Sequence, residues 1–312
     1  MENFILIILA MSIGYTINRL NIFSKDAPLI LNQFLIYISL PAMILLQIPK
    51  LDISIEAIIP IIISWSVMIL SALLILFLSK IFDFSKEVTG CLMLVTVLGN
   101  TSFIGIPIIT SYIGEEAIPY ILVYDQLGNF IALATYGTFI ASFYSSNTKV
   151  TFRLVTFKVL TFPPFIALIV GLLLIGTEFN DVTIKVLSAF SSTIVPLALV
   201  AVGLQLQLKL LKEEIKPFSV ALIIKLLIAP LIAIIICQIF GWHNTAATVS
   251  IMEAAMPTMI TAGAIASMAG LAPKLSSAIV GYGTIISLFT TGLFYCKYLK
   301  IGENLQKFSP IT

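Results

Sequence analysis

Along this chain, apolar runs of about 20 residues alternate with short polar connections, and such a run is long enough to cross the roughly 30 Å hydrocarbon core of a bilayer as a helix. Ten runs can be drawn, over residues 3–20, 28–48, 57–79, 88–112, 118–142, 155–176, 184–206, 217–240, 245–269 and 275–296. The longer polar connections are Arg19 to Ala27, Lys80 to Glu87, Phe143 to Leu154 and Leu208 to Lys216, and none has room for a soluble domain. Glycine and proline punctuate the runs twice over. Gly14, Pro41, Asn100 and Gly114 are followed by Gly171, Pro196, Met256 and Gly270, at offsets of 157, 155, 156 and 156. The near-constant offset predicts a duplication into two five-helix repeats, 1–150 and 151–312, within one membrane unit. Five crossings per copy is an odd number, so the second copy enters the membrane from the opposite side. The expected fold is all-α and integral to the membrane, with two inverted repeats.

The fourth and ninth runs are each interrupted near their middle. The first interruption is Gly99-Asn100-Thr101-Ser102, followed by Gly105 and Pro107; the second is Glu253-Ala254-Ala255-Met256-Pro257-Thr258. Proline lacks the N–H that a helix needs, and glycine with short polar residues weakens helical winding. Unwound backbone at membrane depth is tolerated only where protein buries it or a cavity receives it. Interruptions at matching places in two halves are the best sequence pointer to a transporter's binding site. If the segments cross, helix N-termini and C-terminal carbonyls meet at one point and can hold an anion beside a cation. Pro41 and Pro196 are expected to kink helices two and seven and so to support that crossing.

Composition agrees with the pattern. Hydrophobic residues make up 59% of the 312 positions and charged ones 10%, at a mean hydropathy of +1.11, against roughly a quarter charged in soluble proteins. The net charge of +2 is too small and dispersed to suggest nucleic-acid binding. Of the 17 Lys and Arg, eleven fall in or at the edges of the connections after helices one, three, five, seven and nine. The positive-inside rule then makes those connections cytoplasmic and puts both termini outside, in a plasma (inner) membrane. The start, Met1-Glu2-Asn3-Phe4, has no basic stretch and reads as a first helix rather than a cleaved signal. Cys91, Cys237 and Cys296 lie apart in apolar runs and read as packing residues.

Ionisable side chains inside membrane helices are costly, at least about 2.5–3.5 kcal/mol at a helix centre, and therefore mark function by default. Three stand out here: Asp125, Lys225 and Glu253. Glu253 stands one turn before Pro257, where its carboxylate could take a proton or a sodium ion. Asp125 and Asn129 are four apart and share a face of helix five, turned toward a neighbour or a cavity. Lys225 reads as a residue near the start of helix eight that snorkels to the interface. Other chemistry is missing from the sequence. It carries no phosphate-binding Gly-x-x-x-x-Gly-Lys loop, and its one histidine, His243, rules out a His-Glu-x-x-His zinc site. Tyr124-Asp125 resembles the first half of an intramembrane aspartyl protease, but Gly281-Tyr282-Gly283-Thr284 lacks the second aspartate.

Taken together, these motifs resemble the auxin efflux carrier family, which includes plant auxin carriers and bacterial permeases for malate and malonate. The matching stretches run from Leu35 to Ala42, Gly99 to Pro107, Pro163 to Ala167, Val195 to Ala198 and Glu253 to Pro257. The resemblance implies ten helices in a fold like that of sodium/bile-acid symporters, elevator-type transport, and a substrate near Asn100 and Pro257. The connection after helix five is short, which favours a prokaryotic permease over an auxin carrier. The expected function is secondary transport of a small mono- or dicarboxylate. Asn100, Thr101, Ser102, Met256, Pro257 and Thr258 would hold the substrate, and Glu253, Asp125 and Asn129 the coupling proton or sodium. No other cofactor or metal is expected, and helix one offers an apolar surface for lipid or for a second copy. The competing readings are a passive channel and a membrane-embedded enzyme or sensor.

Overall fold

The computed structural model describes residues 2–50, 55–145, 160–206 and 210–308, with the side chains of 2–4, 55 and 296–308 excepted. The order is α1 (Glu2–Arg19), α2 (Ala27–Lys50), α3 (Glu56–Ile81), α4a (Lys86–Val95), α4b (Thr101–Tyr112), α5 (Glu115–Tyr144), α6 (Pro163–Leu173), α7 (Asp181–Gln205), α8 (Lys212–Phe240), α9a (Thr245–Ala254), α9b (Ile260–Met268) and α10 (Pro273–Phe308). Six of these, α2, α3, α5, α7, α8 and α10, contain stretches long and apolar enough to cross a membrane on their own. The other four predicted runs differ from simple spans. α1 is apolar over Ile5–Arg19, and α6 is a short apolar helix whose expected first residues, 155–159, lie outside the described ones. The fourth and ninth runs are each two short helices joined by unwound chain. Among the basic residues used for orientation, Lys149, Arg153, Lys158 and Lys209 also lie outside the described residues.

Local chemistry sets the helix ends. Ser85, Asn180 and Asn244 each accept a hydrogen bond from the backbone N–H three residues on, and so start α4a, α7 and α9a. At the first of these, a backbone N–H and the Ser85 hydroxyl hold the Glu87 carboxyl below its ordinary range. The repeat-related Gly114 and Gly270 follow α4b and α9b with φ of +115° and +74°. A positive φ of this kind is one that side-chain-bearing residues rarely adopt, so glycine suits both stops.

Two layers follow from the packing. α1 lies along the second half of α7 and α6 along α2, with α2 against α7. α4a and both halves of α9 pack among α3, α5, α8 and α10, while α4b lies against α5 and reaches α1 and α7. In lipid no hydrophobic force drives helices together, and small residues that let backbones touch take its place. A Cβ on Gly14 would stand 2.2 Å from the Val200 carbonyl oxygen, and one on Gly203 2.2 Å from that of Met11. Cys91 and Cys237 are buried and unbridged, while the side chain of Cys296 lies outside the described ones.

Ahead of both prolines the helical winding changes. Before Pro41 the backbone of α2 widens over Leu35–Ser39, where the Leu40 N–H reaches back five residues to the Leu35 carbonyl. Before Pro196, α7 tightens at Thr193, whose N–H bonds the Phe190 carbonyl three residues back. The Ser39 and Thr193 hydroxyls meet at 2.7 Å, tying the two helices together just ahead of both prolines.

Candidate functional site

The two unwound segments cross as a short antiparallel pair. Gly99 lies opposite Thr258, the Asn100 N–H donates to the Pro257 carbonyl at 2.7 Å, and the Met259 N–H donates to the Leu98 carbonyl at 3.0 Å. The Thr258 hydroxyl adds a bond to the Val95 carbonyl at 2.6 Å. Each break thus supplies partners for backbone groups the other has freed, which is what membrane depth demands. Met256, Pro257 and Thr258 are buried in this joint. The structure places them as the joint itself and puts Met259, Ile260 and Thr261, the next residues along, on the cavity wall.

The first break also falls differently from its expected extent. It occupies residues 96–100, while Gly105 and Pro107 lie within α4b. Pro107 is accommodated there because the first turn is wound wide, with the Gly105 N–H bonding Asn100 and the Ile106 N–H bonding Thr101.

Thr101 is the hub of a buried polar network. Its hydroxyl donates to one Asp125 carboxylate oxygen and accepts from Asn129 Nδ2 at 3.0 Å. Gln126 Nε2 donates to the other Asp125 oxygen at 2.6 Å, and Ser102 lies against the same carboxylate. The polar face expected of α5 therefore exists and meets α4b, although α5 is widely wound over Tyr124–Phe130. Asn100 caps α4b by accepting the Phe103 N–H at 3.3 Å. Its amide nitrogen is buried and makes no hydrogen bond.

Two charges flank the same turn. Glu253 is fully buried, both its oxygens lack hydrogen-bond partners, and a Cβ on Gly105 would stand 2.7 Å from each of them. Lys225 is a correction to the sequence reading. α8 begins at Lys212, so Lys225 lies at its middle and not near its start. It is 3% exposed, on a widely wound stretch Ile224–Ile228, and its Nζ lies 3.0 Å from where a Gly99 Cβ would be. Gln126 is a functional candidate that the sequence did not single out.

A cavity of about 110 Å³ opens beside the crossing. Asn100, Thr101, Ser102 and Asp125 line it from the broken-helix side, and Ile36 and Leu40 of α2 face them. A larger space of about 600 Å³ shares Ile36, Ile260 and Thr261 with it and extends past Asn32, Lys25 and Ser276. A third, of about 610 Å³, lies toward the other end of α2 at Gln47 and Lys50, and shares no wall residue with the central cavity.

Apolar membrane-length helices, with unwound segments crossing among buried charges beside a cavity, define a membrane transporter. Residues 1–295 match the family described as a membrane transport protein, and the chain belongs to that family, the auxin efflux carriers that its motifs resemble. It is 26% identical over 304 residues to an uncharacterized transporter of Methanocaldococcus jannaschii, covering 94% of this chain and 97% of the relative. It is 23% identical over 298 residues to an uncharacterized transporter of Methanothermobacter thermautotrophicus, covering 94% and 96%.

Proposed function

We propose that this protein is a secondary active transporter of a small organic anion, a mono- or dicarboxylate, coupled to protons or sodium. The observation that carries the reading is the unpartnered amide of Asn100, buried beside the cavity at the crossing of two broken helices. An N–H donor left without a partner in a dry site costs about 1–3 kcal/mol, and a carboxylate oxygen would satisfy it. The converging N-termini of α4b and α9b favour the same sign of charge. The central cavity is far smaller than the roughly 300–1,000 Å³ of drug-sized pockets, which suits an acid of a few carbons.

Alternating access in an inverted ten-helix fold accounts for the packing. The contact of α1 with α7 and that of α6 with α2 are the exchange that two inverted repeats would make. The cavity has the crossing on one wall and α2 on the other. An elevator movement would slide the bundle holding the crossing along the layer of α1, α2, α6 and α7. The central cavity shares wall residues with the space near Lys25, in a connection assigned to the cytoplasm, so this form would be open inward.

A thermal-shift screen of the purified protein against organic acids tests the reading. A substrate at one hundred times its dissociation constant stabilises by about 2.7 kcal/mol. We expect at least one small carboxylate to raise the melting temperature and Asn100→Ala to abolish that rise. A set of acids with no effect, or a rise untouched by Asn100→Ala, would argue against this site.

A further inference from the structure

The polar network at the crossing serves the two buried carboxylates unequally. Asp125 receives the Thr101 hydroxyl and the Gln126 amide, so fixed dipoles already solvate it. Glu253 has no hydrogen-bond donor at either oxygen and is 0% exposed. A carboxylate that is buried and unbonded needs a proton or a cation to match its charge. The groups facing it are Tyr124 and Asp125 of α5, Lys225 of α8 and the bare backbone of Gly105. Of these only Lys225 can supply a positive charge.

Glycine provides room for both groups. Lys225 Nζ approaches the break at Gly99, and the Glu253 carboxylate approaches the first turn of α4b at Gly105. The ammonium and the carboxylate thus approach the two ends of one short stretch of backbone, Gly99 to Gly105, that also lines the cavity. A lysine fixed at this depth repels any second cation in a medium of low dielectric.

We propose that the Lys225 ammonium stands in, from within the chain, for the cation that Glu253 requires, leaving Glu253 to exchange the coupling proton and giving sodium no role. The proposal rests on the transporter reading of the same site. In the empty carrier Lys225 balances ionised Glu253. When an anionic substrate binds, Glu253 takes up a proton and Lys225 balances the substrate, so anion and proton cross together.

Thermal unfolding of the full-length protein in detergent tests this without a known substrate. Replacing choline chloride by sodium chloride at equal ionic strength is expected to leave the wild-type melting temperature unchanged. Lys225→Met should lower it by several degrees, and the loss should shrink as pH falls and a proton replaces the ammonium. Lys225→Met combined with Glu253→Gln should regain most of the loss, because neither charge is then left alone. If Lys225→Met yields no folded protein, the double variant should restore folding. A sodium-specific rise in the wild type would overturn the proposal, and so would a double variant whose losses simply add or that stays unfolded. Sodium stabilisation of the wild type would leave the carrier reading intact, since that reading depends on binding and exchange of the anion.

Discussion

Thr101→Val is expected to destabilise the protein by about 2–5 kcal/mol and to remove stabilisation by the substrate, while Thr101→Ser keeps most of both. Valine has the shape of threonine but can neither donate to Asp125 nor accept from Asn129, and the threonine hydroxyl does both. The substitution leaves the Asn129 amide without this acceptor and one oxygen of the Asp125 carboxylate, which is 2% exposed, without its Thr101 donor. Each such orphan costs about 1–3 kcal/mol, and a charged one more. Serine keeps the oxygen and loses only a methyl group. Denaturation of the three proteins in detergent, with and without the acid found by thermal shift, measures both effects. Equal stability of the valine variant and the wild type would mean that the network does not hold the crossing together.

Gly14→Ala and Gly203→Ala are expected to cost at least the usual 1–3 kcal/mol of an overpacked site. The atoms in the way are carbonyl oxygens at 2.2 Å, and backbone cannot swing aside as a side chain can. Relief requires α1 and α7 to move apart along the line of contact that holds α1 to the rest of the molecule. The repeat-related Gly171 is the informative control. A Cβ there would meet Ile48 Cβ and Cγ2 at 3.1 Å and the Ile44 carbonyl oxygen at 3.6 Å, a far smaller overlap than 2.2 Å. Gly171→Ala should therefore cost clearly less than Gly14→Ala, as melting temperatures would show; the reverse order would contradict this packing account.

Spacing made most of this architecture legible. The repeated glycines and prolines pointed to two broken runs, and Gly114 and Gly270 adopt positive φ at equivalent stops. Asp125 and Asn129 could be paired because helical periodicity puts them on one face, and both reach Thr101. Lys225 was misplaced for a reason of the same kind. The apolar run begins only at Pro217, whereas the helix starts earlier, among charged residues at Lys212. Hydropathy marks where a segment meets lipid, and winding can begin before that. The division of labour at the second break was equally hidden. Pro257 signals unwinding, but whether Met256 to Thr258 or Met259 to Thr261 meets the cavity depends on how two distant segments pair. Gln126 gave no signal because its role, bonding the neighbouring Asp125, depends on the rotamer it adopts in the folded site.

Counterflow in proteoliposomes tests the central claim most directly. Vesicles loaded with an excess of the unlabelled acid are diluted into a trace of the labelled one. A carrier with a single alternating site should draw label in above its equilibrium level for a time, and Asn100→Ala should erase that overshoot. Smooth equilibration of label without an overshoot in the wild type would mark a passive pore and contradict the account.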